Sequence, residues 1–318
     1  MDSLIIRGGA KLKGGLVASG SKNAALPILA ATLLAGEPCR LRRVPCLMDT
    51  ATMLTLLRSL GADVCEGHNG GIEIDTRPVK NFKAPYNLVK TMRASILVLG
   101  PLLVQHGEAH VSFPGGCAIG SRPVDLHIQV LTQMGARIEI ISGYIVASAP
   151  NGLYGVDFCF DTVTVGGTEN AIMAAVLARG TTILRNVAQE PEVSDLIRFL
   201  RAMGAHIEGE GSEVLIIEGV SALNGCDHEI MFDRIEVGTY LVAALATGGQ
   251  VKIDGVTPSV ISAVLEKLIE AGAKVDIGSD WVSADMRGER PLSVDIVTAP
   301  FPGFPTDMQA QFSALNAV

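Results

Sequence analysis

Four copies of one short pattern constrain this chain more than any other feature. Leu60-Gly61-Ala62-Asp63-Val64 returns as Met134-Gly135-Ala136-Arg137-Ile138, as Met203-Gly204-Ala205-His206-Ile207 and as Ala271-Gly272-Ala273-Lys274-Val275. The glycines stand 74, 69 and 68 residues apart, a spacing that marks a repeated supersecondary unit. Each copy opens with a small-residue helical stretch, over 23–34, 89–104, 167–177 and 236–246. A β-rich run follows, over 39–44, 108–113, 181–187 and 250–256. Next comes an amphipathic helix. In 49–60, Asp49 is the expected N-cap, and Met53, Leu56, Leu57 and Leu60 share one face. Residues 192–203 and 259–271 follow the same pattern. The Gly-Ala pair ends the helix, glycine being the usual residue just past a helix C-terminus. A hairpin of alternating residues closes the unit, as in 137–147 with Ser142-Gly143 at the turn. Each unit therefore reads as β-α-β-α-β-β, an α/β (α+β) architecture.

At 318 residues the chain has room for two domains. It is 48% hydrophobic and 18% charged, with mean hydropathy +0.37, which excludes a disordered chain. A net charge of −8 gives no basic face for nucleic acid or an anionic membrane. The one dense basic run, Arg40, Arg42 and Arg43, falls in a strand and reads as a solvated strand face. Cys39, Cys46, Cys65, Cys117, Cys159 and Cys226 make no C-x-x-C and no zinc spacing, so no metal is expected. The opening Met1–Arg7 does not read as a signal peptide. The longest apolar runs contain Pro27 and Pro101 and fall short of the ~20 residues of a membrane span. A cytoplasmic protein with reduced thiols is expected.

The period has two further consequences. Residues 294–318 begin a fifth unit with 307–317 as its first helix, and the next Gly-Ala falls near ~340. The chain is therefore expected to be a fragment of a longer protein. The second consequence concerns one loop. From the last β residue to the Gly-Ala glycine, units one, three and four take 17, 17 and 16 residues, but unit two takes 22. The additional residues fall in Pro114-Gly115-Gly116-Cys117-Ala118-Ile119-Gly120-Ser121-Arg122-Pro123-Val124-Asp125-Leu126-His127. Its glycines permit close backbone approach, and Pro123 suits a first helical turn. A thiol and a guanidinium in an inserted loop point to chemistry on an anion.

Five segments carry a resemblance: Gly20-Ser21-Lys22-Asn23-Ala24-Ala25-Leu26-Pro27, Lys90-Thr91-Met92-Arg93-Ala94-Ser95, the loop 114–127, Gly167-Thr168-Glu169-Asn170, and Phe304-Pro305-Thr306-Asp307-Met308-Gln309-Ala310-Gln311. Over all 318 residues the chain closely resembles the UDP-N-acetylglucosamine 1-carboxyvinyltransferase (UDP-N-acetylglucosamine enolpyruvyl transferase) family, within the wider EPSP synthase family. The resemblance implies a two-domain enolpyruvyl-transferase fold of three units per domain, an inside-out α/β barrel. Residues 22–231 would form one domain with three units. Residues 1–21 with 232–318 would form an incomplete second one, missing about one and a half units, so the fragment itself is expected to be inactive. The implied reaction transfers the enolpyruvyl group of phosphoenolpyruvate to the 3′-hydroxyl of UDP-N-acetylglucosamine, with release of phosphate. It is the first committed step of peptidoglycan synthesis in bacteria. The implied partners are these two small molecules, with no cofactor, no nucleic acid and no membrane.

The same resemblance assigns roles. Cys117, an isolated thiol that on composition alone reads as a small buried hydrophobe, becomes general acid at the vinyl carbon. It can also form a covalent adduct with phosphoenolpyruvate, and it is the target of the thiol-alkylating epoxide fosfomycin. The other five cysteines keep the buried reading. Lys22 stands at a helix start, where the dipole disfavours a cation and an anionic ligand explains it better. Arg93 lies in an apolar stretch where an unpaired charge is costly. By resemblance Lys22 and Arg122 bind phosphoenolpyruvate, Arg93 lies at the junction of the substrates, and Asn23 contacts them. Arg122, Pro123, Val124, Asp125 and Leu126, with Val165 and Gly166, resemble the uridine-diphosphate contacts. Asp307, readable also as an N-cap or first-turn acid, becomes the base or orienting group for the sugar hydroxyl. His127 either orders the loop or packs. Members often carry lysine where Thr162 stands, a departure that bears on nucleotide binding. The sister family, 3-phosphoshikimate 1-carboxyvinyltransferase, lacks such a cysteine loop. A non-catalytic nucleotide-sugar-binding paralogue is the alternative of another class.

Overall fold

In a computed structural model the chain is described over residues 3–66, 71–89, 92–113 and 124–318. Unit one of the repeat contains β1 (Lys13–Val17), α1 (Lys22–Ala31), β2 (Cys39–Arg42), α2 (Met48–Leu60), β3 (Asp63–Glu66) and β4 (Ile72–Asp75). Unit two has β5 (Lys83–Ala84), α3 (Tyr86–Val89), α4 (Leu99–His106), β6 (Glu108–Ser112), α5 (Asp125–Gln133), β7 (Arg137–Ile141) and β8 (Tyr144–Ser148). Unit three has β9 (Asp157–Cys159), α6 (Val165–Ala175), β10 (Thr181–Arg185), α7 (Pro191–Ala202), β11 (His206–Glu208) and β12 (Val214–Glu218). Unit four has β13 (Asp227–Glu229), α8 (Arg234–Ala246), β14 (Gln250–Asp254), α9 (Ser262–Glu270), β15 (Lys274–Ile277) and β16 (Trp281–Asp285), and α10 (Gln309–Ala317) follows.

Each unit yields the same four-stranded sheet: a parallel edge strand, the central strand, then the hairpin. The orders are β5-β6-β8-β7, β9-β10-β12-β11, β13-β2-β4-β3 and β1-β14-β16-β15. Among the described residues these sheets stay separate and do not close into a barrel of strands. All four Gly-Ala glycines take the left-handed conformation that ends a helix: Gly61 at φ 109°, Gly135 at 101°, Gly204 at 106° and Gly272 at 97°. Ser142 and Gly143, at φ 51° and 78°, make the primed turn whose twist matches a two-residue hairpin.

Two sheets borrow their edge strand. β5 and β9 lead through helices to β6 and β10 in their own sheets, the ordinary crossover. β1, by contrast, pairs with β14 (Lys13↔Gln250), and β13 pairs with β2 (Asp227↔Arg40). The chain accordingly divides into Gly20–Met231 and Met1–Ser19 with Phe232–Val318. The larger unit begins two residues before the expected boundary at 22. Its passage residues are tied together by the Ser21 N–H donating to the Met231 carbonyl at 2.7 Å. In the smaller unit the Asp233 N–H donates to the Ser19 carbonyl at 2.9 Å.

In the larger unit the first helices of the repeat, α1, α4 and α6, pack at the centre, and α6 touches both others. Their small residues let them be buried on nearly every side: Ala24 to Ala31 of α1 and Gly167 to Ala175 of α6 are all buried. The amphipathic helices lie outside them, and α2 buries Met53, Leu56, Leu57 and Leu60 completely, the face read from the sequence. Each such side chain contributes about 1.5–3 kcal/mol. The smaller unit has its own core, in which α8 packs against β14, α9 and α10.

Two expectations are corrected. Residues 89–104 are not one helix but α3, a 3-10 turn over Arg93–Val98, and α4. The Gly100 N–H at the head of α4 is taken by Asn170 Oδ1 at 2.7 Å, a contact that the apolar pattern does not encode. Asp49 is not an N-cap. α2 starts at Met48, the Leu47 N–H donates to Thr50 Oγ1 at 3.1 Å, and Asp49 sits in the first turn. The arginine run lies on a solvated face that also carries ion pairs: Arg42 pairs with Asp227 at 3.0 Å and Glu229 at 3.6 Å, and Arg43 pairs with Glu229 at 3.8 Å.

The helix stops are testable. A Cβ on Gly272 meets nothing within 4 Å, so Gly272→Ala carries only the conformational penalty of a left-handed residue, about 1–2 kcal/mol in urea unfolding. Gly61→Ala costs more, because its Cβ would also lie 3.2 Å from the Pro78 carbonyl oxygen.

Candidate active site

The described candidate residues of the larger unit stand mostly at helix starts. α1 opens at Lys22, capped by Ser21, whose hydroxyl accepts from the Ala24 N–H at 3.3 Å. Asn23 follows, half-buried, and Pro27 four residues on has no N–H to return to its carbonyl. Lys22 Nζ lies 3.3 Å from Asp49 Oδ2, with the side chains 40% and 37% exposed. Water screens such a pair, which contributes about 0–1 kcal/mol. Asp49 thus supplies from within the chain an anionic partner that sequence reasoning assigned to a ligand alone. Read as a cap, Asp49 gave no sign of this role.

Two other helix starts meet. α5 opens with Asp125, exposed, between buried Val124 and half-buried Leu126. α6 opens with Val165 and Gly166 and is capped by Thr164, whose hydroxyl accepts from the Gly167 N–H at 3.3 Å. A Cβ on Gly166 would lie 3.4 Å from His127 Cε1 and 3.6 Å from Nε2, so the glycine makes room for the imidazole. Asn170 fixes that ring. Its Oδ1 accepts from Gly100, so its Nδ2 is the donor, to the Ile96 carbonyl at 3.1 Å and to His127 Nδ1 at 3.0 Å. Nδ1 is therefore the acceptor, and the neutral ring carries its proton on Nε2, the nitrogen facing Gly166. His127 is buried and ordered by α6, a structural role that also sets one wall of the α5–α6 junction. Thr162, where a lysine is frequent, is exposed just ahead of α6.

Arg93 begins the 3-10 turn that packs against α1 and α6. Cys117, Arg122 and Pro123 lie outside the described residues. Asp307 belongs to the smaller unit, in the 3-10 turn Thr306–Met308 that leads into α10. The preceding Pro305 occupies the cap, so Asp307 is a first-turn acid. It is exposed, between Phe304 and Met308, which are buried. Phe304 meets Phe312 edge to face at 5.0 Å, which holds the turn against α10.

Carboxyl groups gather where α6 approaches α7. Burial pushes the Glu169 carboxyl well above its ordinary range, and the nearby Glu192 and Glu190 push it further. Glu169 therefore keeps its proton to a higher pH than an ordinary glutamate. Beside it, Thr168 Oγ1 accepts from the Ala188 N–H at 3.1 Å, tying α6 to the segment before α7. The motif 167–170 thus fastens the helices together through Thr168 and Asn170. Among the described residues no group of three or more His, Cys, Asp or Glu side chains is placed to hold a metal ion. No described helix is long and apolar enough to cross a membrane.

The repeated sheets around buried helices have close counterparts among solved structures. The enolpyruvyl transferase NikO from Streptomyces tendae superposes with a TM-score of 0.86 and 24% identity, over 98% of this chain and 74% of that one. EPSP synthase from Acinetobacter baumannii gives 0.69 and 19%, over 89% and 66%. The fold is that of the enolpyruvyl transferases.

Sequence comparison narrows this. A family model described as EPSP synthase (3-phosphoshikimate 1-carboxyvinyltransferase) matches residues 6–318. Proteins named UDP-N-acetylglucosamine 1-carboxyvinyltransferase from Saccharophagus degradans and Cellvibrio japonicus are each 58% identical over all 318 residues, which span 76% of either relative. The chain belongs to the UDP-N-acetylglucosamine 1-carboxyvinyltransferase family, within the wider EPSP synthase family.

Glu169 makes the stability of the fold depend on pH. Its folded-state pKa is raised, so the native state binds the proton more tightly than the unfolded chain. The contribution is fully present below the ordinary value of 4.5 and is lost as pH rises through the higher folded value. Glu169→Gln removes this loss. The melting temperature of the variant should gain on that of the parent progressively as pH rises above 4.5, as checked by thermal melts across pH.

Proposed function

We propose that the protein transfers the enolpyruvyl group of phosphoenolpyruvate to the 3′-hydroxyl of UDP-N-acetylglucosamine and releases phosphate. The observation that carries this reading is the 58% identity, without interruption of coverage, to two proteins named for that transfer. The wider setting follows from the reaction: a step of peptidoglycan synthesis, carried out in the cytoplasm on soluble substrates.

The chemistry assigns the residues. The vinyl carbon must gain a proton so that C2 becomes electrophilic, and Cys117 is the proposed donor. An unperturbed thiol has a pKa of about 8.5 and is protonated at neutral pH. The sugar hydroxyl must lose its proton on attack, and Asp307 takes it or orients the oxygen. Loss of the methyl proton then restores the vinyl group as the bond to phosphate breaks. Lys22 and Arg122 hold the phosphoenolpyruvate anion, guanidinium being suited to bidentate binding of phosphate and carboxylate. Asn23 contacts the substrates and Arg93 lies where they meet. Val165 and Gly166, at the head of α6, and Val124, Asp125 and Leu126, at the head of α5, take the uridine diphosphate together with Arg122 and Pro123, since helix starts favour anions.

The test uses the purified protein. Phosphate release should require both substrates together. Cys117→Ala should abolish it and also abolish labelling by the epoxide fosfomycin. Asp307→Asn should lower turnover by about a hundredfold or more, the effect of losing a general base. Undiminished labelling or turnover in Cys117→Ala overturns the assignment of that residue. Phosphate release with shikimate 3-phosphate in place of the nucleotide sugar overturns the substrate.

A further inference from the structure

Among the described cysteines, Cys46, Cys65 and Cys159 are exposed, contrary to the buried reading, and two others face each other. β13 runs parallel to β2 with Asp227 opposite Arg40, and the Arg40 N–H donates to the Cys226 carbonyl at 2.8 Å. One residue back along each strand, Cys226 therefore stands beside Cys39. Both sulfurs are on the core side of the sheet. Cys39 alternates with Arg40 on β2 and is fully buried, while Cys226 Sγ lies 4.0 Å from the Phe199 carbonyl oxygen of α7 beneath. Neighbouring strands are about 4.8 Å apart, within the ~4.4–6.8 Å between α-carbons that a disulfide spans. Access is unequal. Cys226 is half-buried at the start of an edge strand, and Cys39 has no exposure at all.

We propose that Cys39 and Cys226 are a redox modification site, a dithiol that a peroxide converts to an intramolecular disulfide. Cys226, the sulfur with access, attacks the peroxide. The O–O bond breaks, one oxygen leaves as water and a sulfenic acid remains. Cys39 then attacks that sulfur, the S–S bond forms and the hydroxyl leaves as a second water. Two thiols lose two electrons and two hydrogens, and one peroxide is reduced to two waters. Partial burial of Cys226 makes the first step slow, and the sulfur already beside it makes the second fast. The bridge joins β2 to β13, the two ends of nearly the whole larger unit, and a thiol reductant reopens it. Cys117 takes no part in it.

Peptide mapping by mass spectrometry tests this on the intact protein. After hydrogen peroxide and blocking of residual thiols, a linked peptide pair containing Cys39 and Cys226 should appear, two hydrogens lighter than the separate peptides. Dithiothreitol should abolish it. Cys39→Ser should leave a sulfenic acid on Cys226 that dimedone captures, whereas the parent protein should show little capture there. If the linked pair is absent from the parent while Cys226 is over-oxidised, or while both cysteines remain fully alkylable, the proposal is overturned. The mapping needs no variant, so it stands whether or not Cys39→Ser folds.

Discussion

The Asn170 side chain is the fastening on which the larger unit depends. Fully buried in α6, it spends its amide on three elements at once: the Gly100 N–H of α4, the Ile96 carbonyl of the preceding turn, and His127 Nδ1 of α5. Leaving any of these groups unpaired inside the core costs about 1–3 kcal/mol. The backbone fits this contact as closely as the side chain does. A Cβ on Gly100 would stand 2.4 Å from Asn170 Oδ1, so only glycine lets α4 come this near. The helix starts that carry Val124, Asp125, Leu126, Val165 and Gly166 are thereby held on a common, well-packed support.

The second constraint is the exchange of edge strands. Uniform repeats would place β1 beside β2 and β13 beside β14. Instead each pairs into the other unit's sheet, so the chain makes two passages, at Ser19–Gly20 and Met231–Phe232. Polar anchors flank them. Glu236 accepts from the Ser19 N–H and hydroxyl at 2.7 and 3.0 Å. Asp195 accepts from the Met231 N–H at 3.0 Å and lies 3.1 Å from His228 Nε2. The strand carrying His228 is also the one carrying Cys226 at its start, so hydrogen bonds, ion pairs with Arg42, and the proposed disulfide all act on this one borrowed edge.

Much of the scaffold was legible because it follows from short-range rules. The four Gly-Ala stops, the Ser142-Gly143 turn and the buried face of α2 are decided by backbone sterics and by hydrophobic period. Errors occurred where one particular side-chain contact overrides those rules. Thr50, not Asp49, takes the Leu47 N–H at the start of α2, and Asn170 takes the Gly100 N–H within the apolar stretch 89–104. Among the candidate residues, the motifs placed Lys22, Asn23 and Asp307 at or beside helix starts, where the structure has them. They gave no hint that Lys22 has Asp49 as a partner or that burial raises the Glu169 pKa, since both depend on which chain segments come within a few ångströms.

By itself, then, the sequence determined the repeating unit, the positions where each helix must stop and the family to which the chain belongs, because these depend on local conformation and on residue order. Only the tertiary structure decided which sheet each edge strand joins, where Asn170 spends its hydrogen bonds, and that Cys39 and Cys226, far apart in the chain, lie side by side. Those outcomes depend on long-range pairing and on burial, which change the energy of a charge, an amide or a thiol without leaving a trace in its neighbours along the chain.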